Sequence, residues 1–120
     1  MKLNPSVWQV ESPGLPGGRD YLEIIPKHQM IICVVTISCP PAQFAHYGMI
    51  YEDLGPGRIR TKLRPGSPWK VDDYQIDGQQ IVWNDQSGEP RPWTRVDGDV
   101  PAVLAYRREK TISRTLEKFF

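Results

Sequence analysis

The sequence predicts an α+β fold, mainly antiparallel sheet in meanders and hairpins, with a short C-terminal helix. Three observations predict it. Twelve prolines and ten glycines in 120 residues favour many turns and short strands over a helical bundle. The run Ile31-Ile32-Cys33-Val34-Val35-Thr36-Ile37 is almost wholly β-branched or apolar. Tyr74 to Trp83 carries an Asp-Gly pair, a hairpin turn signal, between two short half-apolar segments.

Taken in order, Ser6 to Val10 alternates weakly and reads as a first strand, and Pro13-Gly14-Leu15-Pro16-Gly17-Gly18 then breaks the chain into a loop that is mobile by composition. Tyr21 to Ile25 and Gln29 to Ser38 read as strands joined by a turn at Pro26-Lys27-His28. The second of these lacks alternation, which implies burial on both faces and a central position. Residues 42–53 support two readings. One is a second helix with Phe44, Tyr47, Tyr51 and Leu54 on one side; the other is a strand from His46 to Glu52 paired with Arg58 to Arg64 across Leu54-Gly55-Pro56-Gly57, and Gly48 costs either something. We lean to the strand.

In the 74–83 hairpin, a type I′ turn at Asp77-Gly78 would set Tyr74 opposite Ile81 and Asp72 opposite Trp83. Tyr74, Ile76, Ile81 and Trp83 would then share the apolar face. Residues 85–89 and Asp97-Gly98 read as further turns, and Pro90 and Pro92 place a sheet edge nearby because they remove ladder donors. At 100° per residue, Val100, Val103 and Leu104 point away from Ile112, Leu116 and Phe119, so the C-terminal segment is broken near Arg108, with a strand before it and a helix from about Thr111.

The length fits a single domain over residues 1–120. A net charge of +1 supplies no global field for nucleic acid or an anionic membrane, so any charged partner must be met by a local patch. The N-terminus has no apolar stretch of the secretory kind, and the longest apolar run, Met30 to Val35, is far short of a bilayer span. A soluble, cytoplasmic protein is expected. Along a strand, Cys33 and Cys39 would lie roughly 20 Å apart, beyond the reach of a disulfide, and both are read as free thiols.

Among candidate sites, Arg58, Arg60, Lys62 and Arg64 recur at every second position, which on a strand projects four cations to one face. The competing reading is a solvated face neutralised by Glu52, Asp53, Asp72 and Asp73. Arg107, Arg108, Lys110, Arg114 and Lys118 form a second basic group, which also suits the exposed face of a terminal helix. Trp69 and Trp93 each follow a proline, and as loop or edge residues they would offer anchors for a partner, with Lys70 and Tyr106 nearby in the same surface reading. Trp83 is assigned to the core.

Cys39 and His46 are the one pairing that could mimic a nucleophile and base, and no third residue orients them. His28, His46, Cys33 and Cys39 lack metal-ligand spacing, the glycines lack a phosphate-loop context, and adjacent carboxylates point to opposite faces of a strand. No cofactor or metal is therefore expected, and a non-enzymatic role is favoured. The expected function is a small binding domain recognising a macromolecular partner, protein ahead of nucleic acid, through Arg58, Arg60, Lys62, Arg64, Trp69, Lys70, Trp93 and Tyr106. The alternatives are a nucleic-acid-binding β domain using the basic strand, and a small-ligand or enzymatic pocket between sheet and helix with His46, Tyr47 or Tyr51 at its mouth. An open edge near Pro90 would allow a homodimer, and the same prolines would also block one.

Overall fold

The computed structural model describes residues 3–12, 14–84 and 91–120. Eight strands run antiparallel in chain order: β1 (Ser6–Glu11), β2 (Arg19–Ile25), β3 (Met30–Ser38), β4 (Gln43–Gly55), β5 (Arg58–Lys62), β6 (Lys70–Asp77), β7 (Gln80–Asn84) and β8 (Arg91–Arg95). Helix α1 (Ala102–Phe119) follows. β8 returns to β1 through Trp8↔Arg95 and Gln9↔Thr94, so the sheet closes into a barrel. Antiparallel sheet and C-terminal helix match the expectation, and closure is the feature it lacked. Pro92 pairs with Val82 of β7 and lies outside the two-residue ladder to β1. It therefore sits within a closed barrel rather than on the expected edge. The turn expected at 85–89 lies outside the described residues.

β3 explains why its sequence does not alternate. Its odd positions Ile31 and Cys33 face the barrel interior with Trp8, Leu22, Ile24, Tyr51, Ile59, Tyr74 and Ile81. Its even positions Met30, Ile32 and Val34 lie outside, beneath Leu104 and Ile112 of α1. Burial on both faces thus comes from two separate cores, one inside the barrel and one under the helix.

Residues 42–53 resolve as strand, in β4, and Pro56-Gly57 turns the chain into β5 with Gly57 at φ 75°, the conformation a proline-glycine turn requires. In the β6–β7 hairpin the register differs from expectation. Tyr74 pairs with Trp83 and Ile76 with Ile81, so the loop is Gly78-Gln79. Only Gly78 has positive φ (58°), which fits glycine at the first position of a type II′ turn and not the two positive residues of type I′. Each side chain keeps its expected face, because the pairing moved by an even number of residues, but Ile76, near the turn, is exposed while Tyr74 and Ile81 are buried.

The segment expected to break near Arg108 is one helix. Its buried stripe runs through Leu104, Thr111, Ile112 and Thr115, so two threonines and Arg108 bridge the apolar groups that seemed out of phase. Each threonine hydroxyl donates to the carbonyl four residues back, Thr111 to Arg107 and Thr115 to Thr111, both at 2.8 Å, which removes the cost of burying them. Arg108 reaches Glu23, a buried carboxylate on the outer face of β2. Close packing of α1 on β4 depends on Gly48, where an added Cβ would lie 2.2 Å from Thr115 Oγ1.

Candidate ligand-binding site

The barrel is packed at one end and hollow at the other. Trp8, Ile24, Ile59 and Ile81 are essentially inaccessible and fill the end where β1 begins and the β4–β5 and β6–β7 turns lie. Towards the opposite end the inward positions line a cavity of about 810 Å³, within the roughly 300–1,000 Å³ usual for small-molecule sites. Eight strands enclose an interior just wide enough for side chains or for one small ligand. Here Leu22, Ile31, Met49, Trp83 and Trp93 form its apolar wall.

The opening follows from unequal strand lengths. β4 pairs with β3 along residues 43–50, whereas β5 ends at Lys62, opposite Ile50. Residues 43–49 therefore have a neighbour on one side only. Tyr51 N–H donates to Gln29 O on the β3 side, so alternation turns the backbone groups of Phe44, His46 and Gly48 away from β3. Chain leaving β5 bends through Leu63, Arg64, Ser67 and Pro68, which with Lys70 line the cavity across this gap. Lys118, from the last turn of α1, also lines it and places Nζ 3.4 Å from Gly48 O.

Four cations and two carboxylates are among the described lining residues: Arg64, Lys70, Arg91 and Lys118 against Asp20 and Asp72. Asp20 is buried and already engaged. Its Oδ1 accepts from Ser12 Oγ at 2.7 Å and Thr36 N at 2.9 Å, and Oδ2 lies 3.7 Å from Arg91. This lock also joins the end of β1 to the start of β2, where Ser12 N–H donates to Gly18 O at 3.0 Å. Gly18 keeps this approach close: a Cβ there would meet Thr36 Cγ2 at 3.0 Å and Leu15 O at 3.1 Å, so its neighbours would have to give.

Cys33 lies opposite Tyr47, and burial pushes its thiol up to about 11, only partly offset by the Tyr47 hydroxyl. It stays a neutral thiol near pH 7, a poor nucleophile. The Tyr47 phenol is raised, first by Cys33 and then by burial, and remains protonated. Trp83 stacks at a tilt on Tyr74 with ring centroids 5.5 Å apart, and its buried indole N–H has no acceptor among the described residues. His46 is not in the cavity. It faces a groove between β4 and α1 with Arg107, Lys110 and Arg114, and its pKa is lowered by desolvation and then by Arg107. Among the described residues no hydrogen bond joins it to Cys39, and no three His, Cys, Asp or Glu side chains cluster as a metal site needs.

The sequence-derived candidates fall in three places. Arg58, Arg60 and Lys62 share the outer face of β5, where Arg58 pairs with Asp73 at 2.9 Å and Arg60 holds Glu52 through two hydrogen bonds. Trp69 is half-buried beside them, with Arg60 4.3 Å and Lys62 5.0 Å from its ring centroid. Tyr106 is exposed on α1, far along the chain from either group. Arg64, which the alternation would put beside Arg58, has left the strand and joins Lys70 and Trp93 at the cavity. Residues that sequence reasoning missed are Leu22, Ile31, Met49, Trp83, Asp72 and Lys118. All but Lys118 are inward-facing strand residues, which parity along each strand identifies once closure is known.

No helix among the described residues is long and apolar enough to cross a membrane. Comparison with known proteins yields no matching family model, no similar curated protein and no similar solved structure.

Proposed function

We propose that this chain is a non-catalytic binding protein for a small, largely apolar ligand held inside the barrel. The carrying observation is the cavity of about 810 Å³, walled by Leu22, Ile31, Met49, Trp83 and Trp93, with charged side chains also among its lining. A solid eight-stranded barrel would fill that volume with side chains. The site lies within the barrel, not between sheet and helix. The outer basic strand supports a macromolecular partner less well, because two of its cations are held by acidic neighbours and the Trp69 ring is already flanked by Arg60 and Lys62.

Titration with the neutral apolar fluorophore N-phenylnaphthylamine tests the reading. Saturable fluorescence enhancement at one site is expected, with energy transfer from Trp83 and Trp93. Met49→Trp, which adds bulk to the cavity wall, should abolish the enhancement while leaving the circular dichroism spectrum intact. No saturable binding to the unaltered protein, or equal binding to the folded variant, would overturn the proposal.

A further inference from the structure

Resting on that cavity, we infer that the ligand is amphipathic, with an apolar body inside the barrel and one anionic head held between Arg64 and Lys118 at the opening. The two residues come from opposite sides of the gap: Arg64 from the bend after β5, Lys118 from the last turn of α1. Lys118 reaches across the unpaired border of β4 to Gly48 O. Neither cation meets a carboxylate among the described residues, whereas Arg91 is taken by Asp20 on the opposite wall.

Their mutual influence is direct. Lys118 is held below its usual range, first by desolvation and then by the charge of Arg64. Two cations brought together, one of them partly out of water, repel each other, and an anion between them reverses the sign of that interaction. The negative end of α1 favours a lysine in the last turn, but that effect fades within a turn and leaves Arg64 uncompensated. An uncharged ligand would leave this pair without a role, and a cationic head would meet four cations against two carboxylates.

The head sits at the opening, where Arg64 and Lys118 stand, because the rest of the cavity wall is mainly apolar. Leu22, Ile31, Met49, Trp83 and Trp93 would receive an acyl chain or ring system, and burying an ionised group against them would be costly. A carboxylate and a phosphate monoester share the required chemistry, and binding assays separate them.

Displacement of bound N-phenylnaphthylamine by dodecanoate, dodecyl phosphate, dodecanol and dodecylamine provides the test. At least one acid should displace the reporter about tenfold more tightly than dodecanol, the scale of a charge-assisted contact at a partly wet site. That preference should shrink as salt is raised. In the doubly substituted Arg64→Gln, Lys118→Gln protein the acids should fall to the level of dodecanol, while dodecanol itself is unaffected. Both side chains are surface-exposed, so the fold is retained, and reporter binding confirms it. The ranking of dodecanoate and dodecyl phosphate then identifies the head. Dodecanol binding as tightly as both acids, dodecylamine binding best, or an acid preference that survives the double substitution would each overturn this inference and leave the cavity reading standing. Failure of the reporter to bind the unaltered protein would overturn both.

Discussion

Replacing Gly48 by alanine probes the contact that seats α1 on the barrel. The new Cβ would lie 2.2 Å from Thr115 Oγ1, about 0.8 Å inside the 3.0 Å limit that real Cβ contacts respect. Thr115 is only 2% exposed and its hydroxyl is committed to Thr111 O, so it cannot swing away without losing that bond. If the helix lifts instead, Leu104 and Ile112 separate from Met30, Ile32 and Val34. Overpacking of this kind costs about 1–3 kcal/mol, and loss of the hydroxyl bond about 1 kcal/mol more. Alanine in place of glycine within a strand returns roughly 0.5–1 kcal/mol. The expected balance is a loss of about 2 kcal/mol, or roughly 8 °C in Tm for a chain of this size. Urea unfolding at constant m measures it. Thr115→Ala removes the clashing atoms and leaves Thr115 Cβ as the nearest group at 3.2 Å. The double variant should therefore be no less stable than Thr115→Ala alone. Additive losses, or a Gly48→Ala protein within 0.5 kcal/mol of the parent, would refute the account.

Glu23 has its pKa raised from 4.5, because desolvation outweighs the attraction of Arg108. The folded state then binds more protons than the unfolded chain just above pH 4.5, so this residue's contribution to stability declines as pH rises through that window. The stability difference between the parent and Glu23→Gln should shift in that direction between pH 4 and 7 in urea titrations, and a flat difference would contradict it. Native alkylation with iodoacetamide at pH 8 should label half-buried Cys39 well before Cys33, whose thiol is buried and raised to about 11; equal rates by mass spectrometry would count against the interior position of Cys33. Ile59→Ala, at the packed end, should cost about 2–4 kcal/mol, whereas Leu63→Ala, partly exposed at the opening, should stay within about 0.5 kcal/mol. Comparable losses at the two sites would mean the barrel is not hollow where described.

Local chemistry made the strands legible. The unbroken β-branched run placed β3 between two cores, Pro56-Gly57 turned β4 into β5, and the alternation at 72–73 sent Asp72 inward and Asp73 out to Arg58. What stayed hidden depends on distant parts of the chain. Closure rests on two residue pairs joining β1 to β8, a contact with no local signature. The helix start was obscured because Thr111 and Thr115 count as polar in a periodicity argument, yet bond their own backbone and pack as core. The β6–β7 register turned on whether one or two residues adopt positive φ, which Asp-Gly allows either way. A cavity is harder still to anticipate, since it arises from where β5 stops relative to β4 and from no residue type in particular.

The gap beside β4 has a second consequence, for the solubility of the protein. A bare strand margin is a template on which another molecule can add a hydrogen-bonded strand, and lysine is a common safeguard against that growth. Lys118 stands on that margin with its ammonium group at Gly48 O. Truncating that side chain, as in Lys118→Ala, should therefore make the purified protein oligomerise with rising concentration along residues 43–49, whereas glutamine, whose amide can still donate to Gly48 O, should not.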